Sequence, residues 1–210
     1  MNQISFVLLF LSFLFTACAS LQMADNCSYD KEAMLLLDEK SFDQDLSNNG
    51  GGWRKIANIP GCELAAADLI AQYRVAHPTS SFMLAWHEGQ MRASAGDYKR
   101  AILLLTSAKT ETEKDITGWN PYVDATVAFL EGNKAELLRA RDRLLAVTFP
   151  SDTDMPPLKN GYIEFPSQEG RPAMKMRWPP NIDVVDGLIA CFGKSYSEAY
   201  GSASCRPKGP

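Results

Sequence analysis

Two stretches of this chain share one grammar, and it leaves few folds open. SSFMLAWHEGQMRASAGDYKRAILLLTSAK (80–109) and GWNPYVDATVAFLEGNKAELLRARDRLLAV (118–147) each set a glycine and a short polar turn between two segments whose apolar residues recur at helical spacing. The landmark glycines, Gly96 and Gly132, stand 132 − 96 = 36 residues apart. A unit repeated at this step buries its apolar face only by stacking on its neighbour, so the chain is expected to be mainly α, with a short array of helical hairpins at its centre.

The flanking elements follow from local signals. YDKEAMLLL (29–37) predicts a short helix capped by Ser28, with Met34, Leu35 and Leu37 as its apolar side. Phe42 and Leu46 lie in an acidic segment that runs into Ser47–Gly52, expected to be an exposed loop. Trp53, Ile56 and Ile59 form a helical stub stopped by Pro60-Gly61. Glu63 to Ala76 reads as a helix with Leu64, Ala67, Ile70, Ala71 and Val75 near one face, ended by His77-Pro78. Ser80 or Ser81 caps a helix over 82–95, Gly96 closes it, and Asp97 caps the next over 98–108. A polar run, 109–117, leads to the second hairpin, where Pro121 falls in a first turn that needs no N–H from it.

Beyond Pro150 the character changes. Residues 150–181 carry seven prolines, while Tyr162–Phe165 and Met174–Trp178 alternate as strands do, so a β-hairpin with its loop at 166–172 is expected. Ile182, Val185, Ile189 and Phe192 then predict a final helix ending at Gly193, and residues 201–210 read as frayed except where Cys205 ties them down.

Residues 4–15 are an uncharged apolar run ahead of Thr16-Ala17-Cys18-Ala19-Ser20, which predicts an export signal over 1–19. Two readings of its processing are open. Ala17-Cys18-Ala19 fits ordinary signal-peptidase cleavage, and Phe15-Thr16-Ala17-Cys18 resembles a bacterial lipobox that would make Cys18 a lipidation site and attach the protein to a membrane. Either one removes Cys18 from the pairing pool. The four remaining cysteines suit an oxidising compartment such as the periplasm or envelope. The expected pairs are Cys27–Cys62, stapling the lead-in to the first long helix, and Cys191–Cys205, pinning the tail; Cys62–Cys191 is the rival. The organisation expected is thus an export signal (1–19), a helical lead-in with a Gly-rich loop (20–61), the array (62–150) and a Pro-rich segment (151–210).

The small residues of the array carry a resemblance. Gly89, Gly96, Tyr98, Ala101 and Ala108 in the first hairpin, with Leu105 between the helices, and Ala125, Ala128, Gly132, Leu137, Leu138, Leu144 and Leu145 in the second, resemble the tetratricopeptide repeat, whose period is roughly 34 residues. Ala66, Ile70, Tyr73 and Pro78 fit a partial preceding unit. Glu88, Glu113 and Arg141 depart from the pattern. The resemblance covers residues 62–150 and implies an array whose first helices line a concave wall: Met83, Trp86, Gln90 and Ala93 from one unit, Trp119, Tyr122, Thr126 and Phe129 from the next. It implies a protein or peptide partner held by those aromatics. The alternative is that these aromatics pack as core under a capping element such as the Pro-rich tail, as they more often do in a short array.

A formal net charge of −4, with 21 basic against 25 acidic residues and no basic run, argues against nucleic acid as a partner. At 46% hydrophobic and 22% charged, the composition is that of a folded domain and not of a disordered chain. His87-Glu88 lacks the second histidine of a zinc-protease helix, position 91 being Met, and no nucleophile elbow, phosphate loop, C-x-x-C or dinucleotide fingerprint occurs. The sequence therefore points to no cofactor and no metal. Asp124, near Trp119 and Tyr122, either binds a basic group of a partner or bonds a neighbouring helix. The expected function is an exported, non-enzymatic protein-binding module; the alternative is an envelope-acting hydrolase using His87 with Glu88 or Asp124.

Overall fold

A computed structural model describes residues 27–46, 50–151, 153–167 and 173–206. The expected export signal with Cys18, residues 47–49 of the Gly-rich loop and most of the hairpin loop lie outside them. The described residues are mainly helical, with one two-stranded antiparallel sheet. In chain order the elements are α1 (Lys31–Leu35), a π-helical turn (Lys40–Gln44), α2 (Trp53–Ala57), α3 (Glu63–Ala76), α4 (Phe82–Ser94), α5 (Tyr98–Ser107), α6 (Trp119–Leu130), α7 (Lys134–Leu145), β1 (Tyr162–Phe165), β2 (Met174–Arg177), α8 (Ile182–Ala190) and α9 (Tyr196–Gly201). Two short 3₁₀ turns, Thr112–Lys114 and Ala203–Cys205, complete the order.

Consecutive helices pack on one another: α4 lies against both α3 and α5, and α6 against α7. The α4–α5 turn ends in a left-handed Gly96 (φ 84°), with Gly96 N–H donating to Ala93 C=O and Asp97 N–H to Arg92 C=O. Asp97 then caps α5 by accepting from Arg100 N–H. The α6–α7 turn has the same three bonds 36 residues later, from Gly132 to Phe129, from Asn133 to Ala128, and from Glu136 N–H to the Asn133 side chain. Both are Schellman endings that satisfy the last carbonyls of one helix and cap the next. Gly89 is required by contact and not by φ: a Cβ there would lie 2.8 Å from Leu105 Cδ2, so α4 and α5 meet at a glycine.

Among the described residues there are two apolar cores. One joins the lead-in, α2 and α3 around Phe42, Ile56, Leu69, Ile70 and Tyr73, and reaches α4 at Leu84. The other joins α4 to α9 around Trp86, Leu105, Tyr122, Leu144, Leu188 and Tyr196. The sulfurs of Cys27 and Cys62 stand 1.96 Å apart and those of Cys191 and Cys205 1.99 Å apart, both disulfide distances, one pair on each core. Among the described residues no helix is long and apolar enough to cross a membrane.

Several local expectations need correction. α1 starts later than expected and is capped by Asp30, whose carboxylate accepts from Ala33 N–H at 3.0 Å, in place of Ser28. The described part of the Gly-rich loop is buried instead of exposed, because Gly52 (φ 49°) presses its backbone onto the Phe42 carbonyl, where any Cβ would collide. On α3 Ala67 and Ile70 are buried as expected, together with Ala65, Ala66, Leu69 and Tyr73, but Leu64 and Val75 face solvent, since Tyr73 stacks on Phe42 and donates its hydroxyl to Leu37 C=O. On α7, Leu137, Ala140 and Leu144 are buried while Leu138 and Leu145 are exposed. Trp178 falls just past β2, whose register pairs Tyr162 with Arg177 and Phe165 with Met174. The final helix ends at Ala190, and a further short helix that was not expected, α9, follows it and packs Tyr196 and Ala199 inward; in the tail expected to fray, Cys205 is buried in the closing 3₁₀ turn and ties it down as expected, and residues 207–210 lie outside the described residues.

Candidate functional site

The two inner helices, α4 and α6, bring the sequence-nominated wall together. Trp86 lies 4.7 Å from Trp119 and 5.1 Å from Tyr122, ring centre to ring centre, and Trp119 and Tyr122 lie 5.6 Å apart. Trp86, Gln90, Tyr122 and Thr126 are buried, whereas Met83 and Trp119 are only partly so. The expectation of an open groove along this wall is not met. α9 lies on α4 and α8 on α6. Gln90 Nε2 donates to Tyr196 Oη at 3.5 Å, Tyr196 N–H donates to Tyr98 Oη at 3.1 Å, and Phe129 packs edgewise on Phe192 and against Tyr196. Burial, together with the neighbouring Tyr200, pushes the Tyr122 phenol well above its ordinary pKa, and burial does the same to Tyr196. Both phenols are therefore neutral core groups. Thr126 spends its hydroxyl on Tyr122 C=O, one turn back.

What remains accessible is the end of the wall where α4 and α6 begin. Phe82, 56% exposed, stands edge-on to Trp119 at 6.1 Å, with Met83 beside it in sequence. Trp119 is fixed from behind: its indole N–H donates to Ala108 C=O, and Asp115 caps the helix at Trp119 and Asn120 N–H. Asp124 is not part of this lip. Its carboxylate is shared by Lys109 and Arg143, so it bonds the segment after α5 and the helix α7.

The residues of the hydrolase alternative are not brought together. Glu88, 4% exposed, accepts from Arg92 Nε at 2.9 Å and Arg74 Nη1 at 2.5 Å, and Arg92 also reaches Asp68 at 3.0 Å. Adjacent positions on a helix diverge by about 100°, so Glu88 and His87 serve different neighbours. His87 Nδ1 instead lies 2.6 Å from Oδ1 of Asp43, a residue that composition and spacing gave no reason to single out. Asp43 sits in the π-helical turn, 1% exposed, and also accepts from Trp53 Nε1 at 2.8 Å, with Arg54 alongside. Burial alone would raise its pKa; the hydrogen bond and charge of His87, then Trp53 and Arg54, outweigh it and hold the carboxyl below its ordinary value. Among the described residues no group of three or more His, Cys, Asp or Glu is placed to hold a metal ion. Compared with known proteins, the chain matches no family model, no curated protein and no solved structure.

Proposed function

We propose that the chain is an exported, non-enzymatic protein-binding module built on tetratricopeptide-like repeats over residues 62–150. The observation that carries this reading is the turn written twice: three matching hydrogen bonds recur at the same 36-residue step as Gly96 and Gly132. The wall follows the same step, Met83 with Trp119, Trp86 with Tyr122, Gln90 with Thr126 and Ala93 with Phe129. With most of that wall covered, a partner protein docks at its open end, on Phe82, Met83 and Trp119, where aromatic edges bury area at little entropic loss. The two cysteine pairs at disulfide distance are consistent with export to an oxidising compartment. Membrane attachment through a lipidated Cys18 belongs to the same proposal, and intact mass of protein from a bacterial envelope tests it: a start at Cys18 with added lipid supports attachment, a chain beginning at Met1 removes export.

Docking is tested with cross-linked capture from envelope extract by the purified chain and by Phe82→Asp. A partner bound by the first and lost by the second, with unfolding temperature unchanged, supports the lip; equal capture by both contradicts it. One observation favours a second reading. Asp43 holds His87 through Nδ1, and Nε2 makes no hydrogen bond among the described residues, which is how a general base is held. Hydrolysis of wall fragments by the purified chain, abolished in His87→Gln and Asp43→Asn, would establish that reading instead.

A further inference from the structure

The β-hairpin takes no part in the wall, the lip or either cysteine pair, and its two faces differ in kind. The register sets Ile163 opposite Met176 and Phe165 opposite Met174, with Tyr162 opposite Arg177 and Glu164 opposite Lys175. Side chains alternate along a strand, so the first two pairs share one face and the last two the other. The charged face is satisfied internally. Lys175 Nζ lies 4.4 Å over the Tyr162 ring and 3.9 Å from Glu164, and Arg177 binds Asp183 and Asp186 of α8. The other face carries two methionines at i and i+2, Met174 being 54% exposed and Met176 partly buried. Met34 and Met91 pack against one apolar core and Met83 against the other, whereas Met174 and Met176 pack against neither. Trp178 N–H still pairs with Gly161 C=O, so the alternation brings Trp178 to the methionine face; its indole N–H donates to Val147 C=O and its ring stands edge-on to Phe149.

We propose that Met174 and Met176 form a binding site for a soft monovalent metal ion, Cu(I). Three features of the structure select this ligand. Thioethers are uncharged and polarizable donors that favour Cu(I) over harder ions, and Cα atoms two residues apart on a strand are about 6.7 Å apart, a span that two unbranched, flexible side chains close around one ion. No thiol competes for it: among the described residues every cysteine sulfur stands at disulfide distance from another, which leaves methionine as the soft donor. The cleft that Met174 forms with Phe165, Pro166 and Ala173 is bordered by Lys159, Glu164 and Lys175, a rim of net positive charge where a singly charged ion meets less repulsion than a doubly charged one. Phe165 and Trp178 flank the pair, and an aromatic face attracts a cation without offering it an oxygen ligand. The site shares no residue with the Phe82–Trp119 lip, and a protein partner there neither requires nor excludes it.

Ag(I), a soft monovalent ion that needs no reductant, is the probe. The full chain, with disulfides intact and any free thiol blocked by iodoacetamide, is isotopically labelled at the methionine methyl carbons and titrated with silver nitrate in chloride-free buffer, followed by NMR. The site predicts saturation at one ion per chain, with the shifts confined to Met174 and Met176. Met174→Leu and Met176→Leu keep volume and apolarity, so the unfolding temperature should hold. Each should weaken Ag(I) binding by at least the roughly tenfold that loss of a supporting contact alone costs a metal site. Competition for Cu(I) against bathocuproine disulfonate, under ascorbate, should rank the natural chain above both variants. Absence of saturation by about 1 mM Ag(I) overturns the proposal. So do shifts spread over the other methionines, a double Leu variant that binds as well as the natural chain, or equal shifts on adding Zn(II).

Discussion

Replacing Glu88 by Ala removes the one carboxylate that two arginines share inside the α3–α4 pair. Arg74, with a third of its side chain exposed, can turn to water. Arg92 cannot, because only 6% of its side chain is exposed. It would be left with Asp68, itself 45% exposed and hydrated, and with Asp97, whose carboxylate stands 3.9 Å from an Nη1 that has no hydrogen-bond partner. Breaking a buried pair by removing one member typically costs about 3–5 kcal/mol; the remaining Asp68 contact places Glu88→Ala near the lower end, about 3 kcal/mol. Glu88→Gln keeps an acceptor for Arg92 Nε and gives up the charge, so about half that loss is expected. The informative variant is Glu88→Leu with Arg92→Leu, which removes both buried charges and leaves Asp68 and Arg74 free to hydrate. It should regain most of the stability lost by Glu88→Ala. Urea unfolding followed by circular dichroism, with the slope unchanged, measures all three. A Glu88→Ala loss below about 1 kcal/mol, or a double variant no more stable than the single, refutes the reasoning.

Two further outcomes follow from the same packing. Gly89→Ala should destabilise by about 1–3 kcal/mol, since the added methyl meets Leu105 and Leu104 side chains across the closest approach of α4 and α5; thermal unfolding reads it directly. Asp43 has a folded pKa below its unfolded one, so its contribution is fully present above the unfolded value, about 3.9, and is lost as pH falls through the folded value. The stability gap between the natural chain and Asp43→Asn should therefore be widest near neutral pH and narrow below about pH 4; a gap independent of pH removes the charged carboxylate from the account.

Much of the helical fold was legible because its signals are local. Gly96 with Asp97, and Gly132 with Asn133, end one helix and cap the next within two residues, and those boundaries lie where the sequence puts them. The departures from the repeat pattern are legible only in three dimensions. Glu88, out of place for an apolar position, is answered by Arg92 one turn on and Arg74 on another helix. Arg141, equally out of place, grips Asp186 of α8. Sequence periodicity could not show that α9 exists, since its six residues offer only Tyr196, Ala199 and Tyr200 as an apolar side. It was therefore blind to what closes the wall. Nor could it phase α3, whose buried face was chosen by Phe42 stacking on Tyr73 from the lead-in, or find Asp43, which becomes a partner of His87 only because the π-helical turn and the buried glycines turn it inward.

The central claim is that the aromatic wall of α4 and α6 is core beneath the C-terminal helices α8 and α9, accessible only at its Phe82–Trp119 end. Urea unfolding of Trp86→Ala tests it most directly, because Trp86 is 2% exposed and sits between Trp119 and Tyr122. The account predicts a loss of about 3–5 kcal/mol, the usual consequence of emptying a buried indole site. A loss within about 0.5 kcal/mol, as for a side chain facing solvent in an open groove, would contradict it.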